Sequence, residues 1–276
     1  MSATTEIVTE PILELSGVVA GYGAGDILKG VDLTIAAGTV TCLIGPNGAG
    51  KSTVLKAVSG LIKPRLGSIR HEGREIGALS PKARLLLGIA QVPQERSLFP
   101  AMSVADNLLM GGHLVKDKKL VRERIDAAME MFPICARRRH EHAGSLSGGE
   151  QKQVELARTL VLDPKIVLLD EPSIGLDPGS RRLVFESVTR LAATGRTVLL
   201  VEQNARSGLA VSDFGAVLEA GTVRLTGTGS GLLQDPEVAR LYLGATPRPV
   251  VPDAGDARHP AAGPRSGRPP RRDHQL

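Results

Sequence analysis

Tryptophan is absent from this chain, tyrosine occurs twice and phenylalanine four times, so aromatic residues make up only 2% of its 276 positions. A core must then be filled by Val, Leu, Ile and Ala, which suits a parallel sheet covered by helices and argues against an all-β sandwich. Cysteine is equally scarce. Cys42 and Cys135 stand far apart and outside any C-x-x-C pattern, so neither a disulfide framework nor a zinc site is indicated, and the cytosol is the default compartment. No apolar run approaches the roughly 18 residues of a membrane-spanning helix. The segment from Met1 to Pro11 also lacks a basic region followed by an apolar stretch, so no signal peptide is expected and any membrane role is borrowed from a partner.

A large charge imbalance is missing too. The formal net charge is +5, but the stretch from Ala245 to Leu276 alone carries six Arg against three Asp. That stretch is rich in Pro, Gly and Ala and poor in large apolar residues, and it reads as a disordered tail. The remaining body is close to neutral and offers no nucleic-acid footprint, so no nucleic-acid partner is expected. Arg137-Arg138-Arg139-His140 reads as a solvated helix end, His140-x-His142 as exposed residues without a matching metal set, and Cys42 as a small core residue.

What is present is alternation of strand and helix. Strands are expected at Ile12–Val19, Val31–Ile35, Val40–Ile44, Ser68–His71, Ile89–Val92, Ile166–Asp170, Thr197–Glu202, Ala216–Glu219 and Thr222–Leu225. Helices are expected at Lys51–Ser59, Pro81–Leu87 behind a Ser80 cap, Gly149–Leu162, Ser180–Ala193, Ala205–Val211 and Pro236–Tyr242. Between Phe99 and Leu146 the pattern is helical alone, with Val104–Met110 and Lys118–Phe132 amphipathic, which suggests a helical insert in an α/β core.

Three stretches carry chemistry. Gly45-Pro46-Asn47-Gly48-Ala49-Gly50-Lys51-Ser52-Thr53 fits G-x-x-x-x-G-K-[ST] and sits after a buried strand and before a helix. Glycines there let backbone N–H groups wrap a phosphate, and the helix N-terminus adds partial positive charge. Lys51 would reach the β- and γ-phosphates and Ser52 would bind Mg²⁺. Ile166–Glu171 is a second apolar strand, ending in two acids; beside a phosphate loop, Asp170 can hold Mg²⁺ through water and Glu171 can polarise the attacking water. In Leu146-Ser147-Gly148-Gly149-Glu150, the Ser-x-x-Glu spacing is that of a capping box, which leaves two glycines in a first helical turn unexplained. Bare backbone at that turn makes sense where a phosphate approaches closely. A fourth stretch, Leu199-Leu200-Val201-Glu202-Gln203-Asn204-Ala205, runs an apolar strand into an acid and two amides, and a strand end followed by a helix cap is its local reading.

Taken together, GPNGAGKST, IVLLDE and LSGGE resemble the Walker A, Walker B and signature sequences of ATP-binding cassette ATPases. The resemblance covers Ile12 to Gly244, in order and at family spacing. It implies an α/β P-loop cassette over residues 12–244, with a mixed, largely parallel sheet core flanked by helices, an antiparallel β subdomain and a helical signature subdomain at about residues 99–150; residues 1–11 are then a flexible N-terminus. It further implies that Tyr22 stacks on adenine, that Gln94 is the Q-loop glutamine at the Mg²⁺ and the reacting phosphate, and that Asp177 belongs to the D-loop. Gln203 stands where the family usually has a γ-phosphate histidine; a neutral amide can donate to a phosphate but cannot become cationic. Ser147, Gly148 and Gly149 would meet the ATP held by another chain's P-loop, so a second ATPase subunit, identical or different, is implied.

VEQNA, the segment Leu232–Gly244 and Ser97-Leu98-Phe99-Pro100 resemble an ATPase subunit of branched-chain amino acid importers, in which Glu is common at the position of Gln94. That resemblance implies two transmembrane permeases, an extracytoplasmic binding protein and a place on the cytoplasmic face of the membrane. Urea importers and lipopolysaccharide-export ATPases share parts of the ending. A soluble cassette ATPase acting on DNA or ribosomes usually has two cassettes or a long coiled-coil insert, and a P-loop GTPase has N-K-x-D; neither feature is found.

Overall fold

The computed structural model describes residues 11–242. The expected flexible N-terminus, apart from Pro11, and the expected tail from Ala245 lie outside the described residues. In chain order the strands are β1 (Pro11–Tyr22), β2 (Gly25–Ala36), β3 (Val40–Ile44), β4 (Leu66–His71), β5 (Arg74–Glu75), β6 (Ile89–Val92), β7 (Ile166–Asp170), β8 (Thr197–Val201), β9 (Phe214–Glu219) and β10 (Thr222–Thr228). The helices are α1 (Lys51–Ser59), α2 (Pro81–Leu86), α3 (Val104–Gly111), α4 (Lys118–Met131), α5 (Pro133–Arg137), α6 (Gly148–Leu160), α7 (Pro178–Ala193), α8 (Ala205–Ala210), α9 (Gly229–Gln234) and α10 (Pro236–Tyr242). Among the described residues no helix is long and apolar enough to cross a membrane.

One sheet has the order β10-β9-β3-β8-β7-β6. Its pairings from β9 to β6 are parallel, and β10 closes it antiparallel. β3, β7 and β8 are buried along their whole length, as continuous apolar runs in a sheet covered on both faces must be. Because side chains alternate between faces, Cys42, Leu169, Val198 and Leu200 pack with the helices of the insert, whereas Leu43, Leu168, Leu199 and Val201 pack on α1 and the second sheet. That second sheet, β2-β1-β4-β5, is antiparallel throughout.

Between Phe99 and Leu146 the described secondary elements are helices, as expected, and α6 packs against them. The core of this insert is built by Leu108, Ala128, Phe132, Val154 and Leu156. Arg137 to His140 are the exposed last residue of α5 and the turn after it, where Arg138 pairs with Glu141 at 2.9 Å. Ser80 caps α2 by accepting from the Ala83 N–H at 3.3 Å. Several elements differ from expectation. β1 and β2 are 12 residues each, longer than the alternation suggested, because register shifts near Ser16 and Gly17 expose both residues and break the period. α9 carries two glycines, which mask its helical character, and starts from the Thr228 cap. α6 begins one residue earlier than expected and ends at Leu160, beyond which Asp163 takes a left-handed φ of 56°.

Candidate functional site

Parallel strands deliver their C-terminal ends to one edge of the sheet, where ligands of open α/β sheets bind. Gly45 follows β3, Gln94 follows β6, Glu171 follows β7 and Gln203 follows β8. Gln94, Glu171 and Gln203, together with Tyr22 at the end of β1, border a cleft of about 430 Å³, whose floor is Asn47, Gly48, Gly50, Lys51, Ser52 and Thr53 of the loop and helix that Gly45 begins.

The loop before α1 owes its shape to backbone that side chains would obstruct. A Cβ on Gly45 would lie 2.1 Å from the Leu218 carbonyl oxygen, and Gly50, at φ 106°, would drive one into Leu28. Gly48, at φ 81°, faces open space. Pro46 and Ala49 close the turn, the Ala49 N–H donating to the Pro46 carbonyl at 3.2 Å. Lys51 is buried and its Nζ donates to the carbonyls of Gly45 at 2.9 Å and Pro46 at 3.1 Å. Burial pulls its pKa down, against the opposing fields of Glu171 and Asp170.

Ser52 Oγ donates to Asp170 Oδ1 at 2.8 Å, bringing the first turn of α1 to the end of β7. Asp170 is 4% exposed, and burial pushes its carboxyl upward against the Ser52 hydrogen bond and the charge of Lys56. Glu171 has a left-handed φ of 44°, and its N–H donates to the Val201 carbonyl at 2.9 Å. Burial raises its pKa too, with Lys51 opposing. Gln94 Nε2 donates to Glu171 Oε2 at 3.4 Å. Ser52 and Gln94 line the cleft and the Asp170 carboxylate lies directly behind the Ser52 hydroxyl; a hydroxyl, a carboxylate and an amide are the hard donors that suit Mg²⁺, and the residues therefore fit that ion. Tyr22 is 52% exposed, with Lys56 Nζ donating to its hydroxyl at 3.1 Å and lying 5.5 Å from the ring centroid.

The acid and two amides after β8 divide three ways. Asn204 is the cap, its side chain accepting from the Ser207 N–H at 3.1 Å. Gln203 is exposed and lines the cleft. Glu202, which the sequence assigned to the strand and to nothing more, is 2% exposed and accepts from the Ser173 N–H at 3.2 Å and the Ser173 hydroxyl at 3.0 Å. It thereby fixes the turn that follows Glu171, while burial raises its own pKa. An acid directly after an apolar strand was the available signal.

Ser147, Gly148, Gly149 and Asp177 do not line this cleft. Ser147 and Glu150 form the expected capping box at the start of α6, with bonds of 3.4 and 2.9 Å. The glycines need a different account from a phosphate alone: a Cβ on Gly149 would lie 2.5 Å from both Cβ and Oγ of Ser180 on α7. Asp177 caps α7, accepting from the N–H groups of Gly179 at 2.9 Å and Ser180 at 3.0 Å. Hydrogen bonding from Ser180 and then Gly179 holds its carboxyl below the usual range. Gly148, Gly149 and Asp177 line a second groove of about 300 Å³, which Gln94 borders from the side of the first.

A protein-family model described as ABC transporter matches residues 28–174. The chain is 40% identical over 233 residues to the high-affinity branched-chain amino acid transport ATP-binding protein BraG of Pseudomonas aeruginosa, covering 84% of this chain and 100% of that protein. It is 37% identical over 235 residues to the lipopolysaccharide export system ATP-binding protein LptB of Escherichia coli K12, covering 84% and 97%. Among solved structures it superposes with a TM-score of 0.78 and 30% identity on the ADP conformation of an ATP-binding cassette of an ABC transporter, covering 86% of this chain and 100% of that one.

Proposed function

This chain belongs to the ABC transporter family and is an ATP-hydrolysing subunit of such a transporter, and from that premise we propose that it drives import of branched-chain amino acids or related amino acids and amides. The observation carrying the cargo is the similarity to BraG over the whole of that protein's length. The observation carrying the chemistry is the single cleft that gathers Tyr22, Lys51, Ser52, Gln94, Glu171 and Gln203.

In this reading the loop N–H groups and Lys51 hold the β- and γ-phosphates of ATP, and Tyr22 offers its exposed ring to adenine. Ser52, Asp170 and Gln94 hold Mg²⁺, which neutralises phosphate charge. Glu171 takes the proton of the attacking water; its burial makes it a stronger base than an exposed carboxylate, and its strained φ is of the kind that functional sites retain. Gln203 hydrogen-bonds the γ-phosphate. Because Ser147, Gly148, Gly149 and Asp177 lie outside the cleft, they serve the nucleotide of a second ATPase subunit, and two such subunits close around two ATP molecules. Two permeases hold the pair at the cytoplasmic face of the membrane, and a binding protein outside delivers the cargo.

The test is uptake of radiolabelled leucine, isoleucine and valine by cells lacking the gene. Uptake should be lost, restored by the wild-type chain and not by Glu171→Gln. Normal uptake in the deletion strain refutes the cargo. The similarity to LptB over nearly its whole length supports a second reading, lipopolysaccharide export, for which the same strain would show lipopolysaccharide missing from its outer surface.

A further inference from the structure

The segment between β6 and α3 is fastened to α6 by more polar contacts than a connecting loop requires. Glu155 Oε1 accepts from the Ser97 N–H at 2.6 Å and from the Ser97 hydroxyl at 3.1 Å. Arg158, one turn further along α6, donates to the Ser97 carbonyl at 2.8 Å and to its hydroxyl oxygen at 2.7 Å. Lys152, one turn before, donates to the Pro93 carbonyl at 3.4 Å and pairs with Glu155 at 2.6 Å. The Arg158 guanidinium also lies 5.9 Å from the centre of the Phe99 ring. All the hydrogen-bonding groups of Ser97 are thus satisfied by one helix.

The spacing of 152, 155 and 158 puts the three charges on one stripe of α6. The Lys152 and Glu155 side chains are only 10% and 2% exposed, so each charge there is costly unless paired. Such a stripe is not needed to bury α6, which already packs Val154, Leu156, Ala157 and Leu160 into the core. Its position is informative. α6 begins with the Ser147-Gly148-Gly149 turn, and the fastened segment begins with Gln94, which reaches Glu171 in the P-loop cleft.

We propose that Glu155, supported by Lys152 and Arg158, is a positioning residue that ties the segment of Gln94 to α6, so that nucleotide in this chain's own cleft sets the position of the turn it presents to a second subunit. The inference rests on the two-subunit reading above. Fixing the Gln94 segment then fixes α6 as a rigid rod, and its N-terminal turn moves with it. Without the tie, a subunit binds ATP normally but presents its turn in many orientations, and closure around two ATP molecules becomes weaker.

The experiment is done in the Glu171→Gln protein, comparing it with the same protein carrying Lys152→Met and Glu155→Leu. An apolar pair in place of the buried ion pair leaves neither Lys152 nor Glu155 as an unpaired charge, but the Ser97 N–H loses its acceptor, so the variant should stay folded and melt a few degrees below its parent. Binding of a fluorescent ATP analogue to dilute monomer should be unchanged. Loss of a charged acceptor from Ser97 should raise the ATP concentration for half-maximal dimerisation, read by size-exclusion mass, by at least about tenfold. Glu155→Gln, which keeps an acceptor for Ser97, should dimerise near the parent's ATP concentration. Equal dimerisation of the double variant and its parent overturns the inference alone. A parent that stays monomeric with MgATP overturns the two-subunit reading and the inference with it.

Discussion

Replacing Gln203 by Ala separates the two roles that the polar residues after β8 could have had. Gln203 is exposed, lines the P-loop cleft and makes no side-chain hydrogen bond to another described residue, while the capping bond of α8 belongs to Asn204. Truncation at an exposed and unbonded side chain should change stability by no more than about 0.5 kcal/mol. Turnover should respond differently. Losing a neutral donor to a charged phosphate removes about 1.5–3 kcal/mol, roughly a ten- to hundredfold fall in kcat. The assay is the initial rate of phosphate release at saturating MgATP in the assembled transporter, measured at pH 6 and pH 8, with thermal melting alongside. Because an amide does not titrate, the factor lost should be the same at both pH values. Gln203→His should retain activity and introduce a pH dependence, since an unperturbed imidazole titrates near ~6.5. Asn204→Ala should show the reverse pattern, with about 1 kcal/mol of stability lost through the cap and turnover kept. If Gln203→Ala hydrolyses ATP as fast as the wild type, Gln203 does not touch the reacting phosphate, and the site relies on Glu171 alone.

Lys51→Ala should nearly abolish binding of a fluorescent ATP analogue, whereas Glu171→Gln should bind it and accumulate as a dimer in size exclusion with MgATP; a Glu171→Gln protein turning over at the wild-type rate would remove that residue from its role. Asp170→Asn should raise the melting temperature of the nucleotide-free protein at pH 8. Burial lifts the Asp170 carboxyl above its ordinary 3.8, so the folded chain holds that proton more tightly than the unfolded one. The resulting destabilisation is absent below the ordinary value and complete above the raised one, and the advantage of Asn must therefore shrink as pH falls toward 4; an advantage that grows on acidification contradicts the assigned shift. Gly149→Ala should lose about 1–3 kcal/mol to crowding against Ser180, offset by roughly 1 kcal/mol of helix propensity, in denaturant unfolding. Ser180→Gly should relieve the crowding, and a Gly149→Ala chain as stable as the wild type would mean that packing is not why glycine stands there.

The local geometry of the candidate site was legible in the sequence. Gly45 to Thr53 and Ile166 to Glu171 each carry their own local geometry, a strand that ends and a turn or helix that begins, so residue order alone places their side chains. The same holds for the parallel core, because β3, β7 and β8 are mostly apolar without the alternation of a half-exposed strand. The β1–β2 hairpin was legible only in part, as Ile12–Val19 and Val31–Ile35, since register shifts interrupt the period on which strand recognition depends. Tertiary structure decided what lies across the chain. That Ser52 meets Asp170, that Glu202 holds Ser173 and that Ser97 is gripped by Glu155 and Arg158 are contacts between elements 29 to 118 positions apart. The same is true of Gly149, whose lack of a side chain answers to Ser180 on a different helix. Local sequence encodes backbone conformation and the face on which a side chain emerges, but which two faces then meet is set by the packing of the whole sheet and its helices, and only the folded chain contains that information.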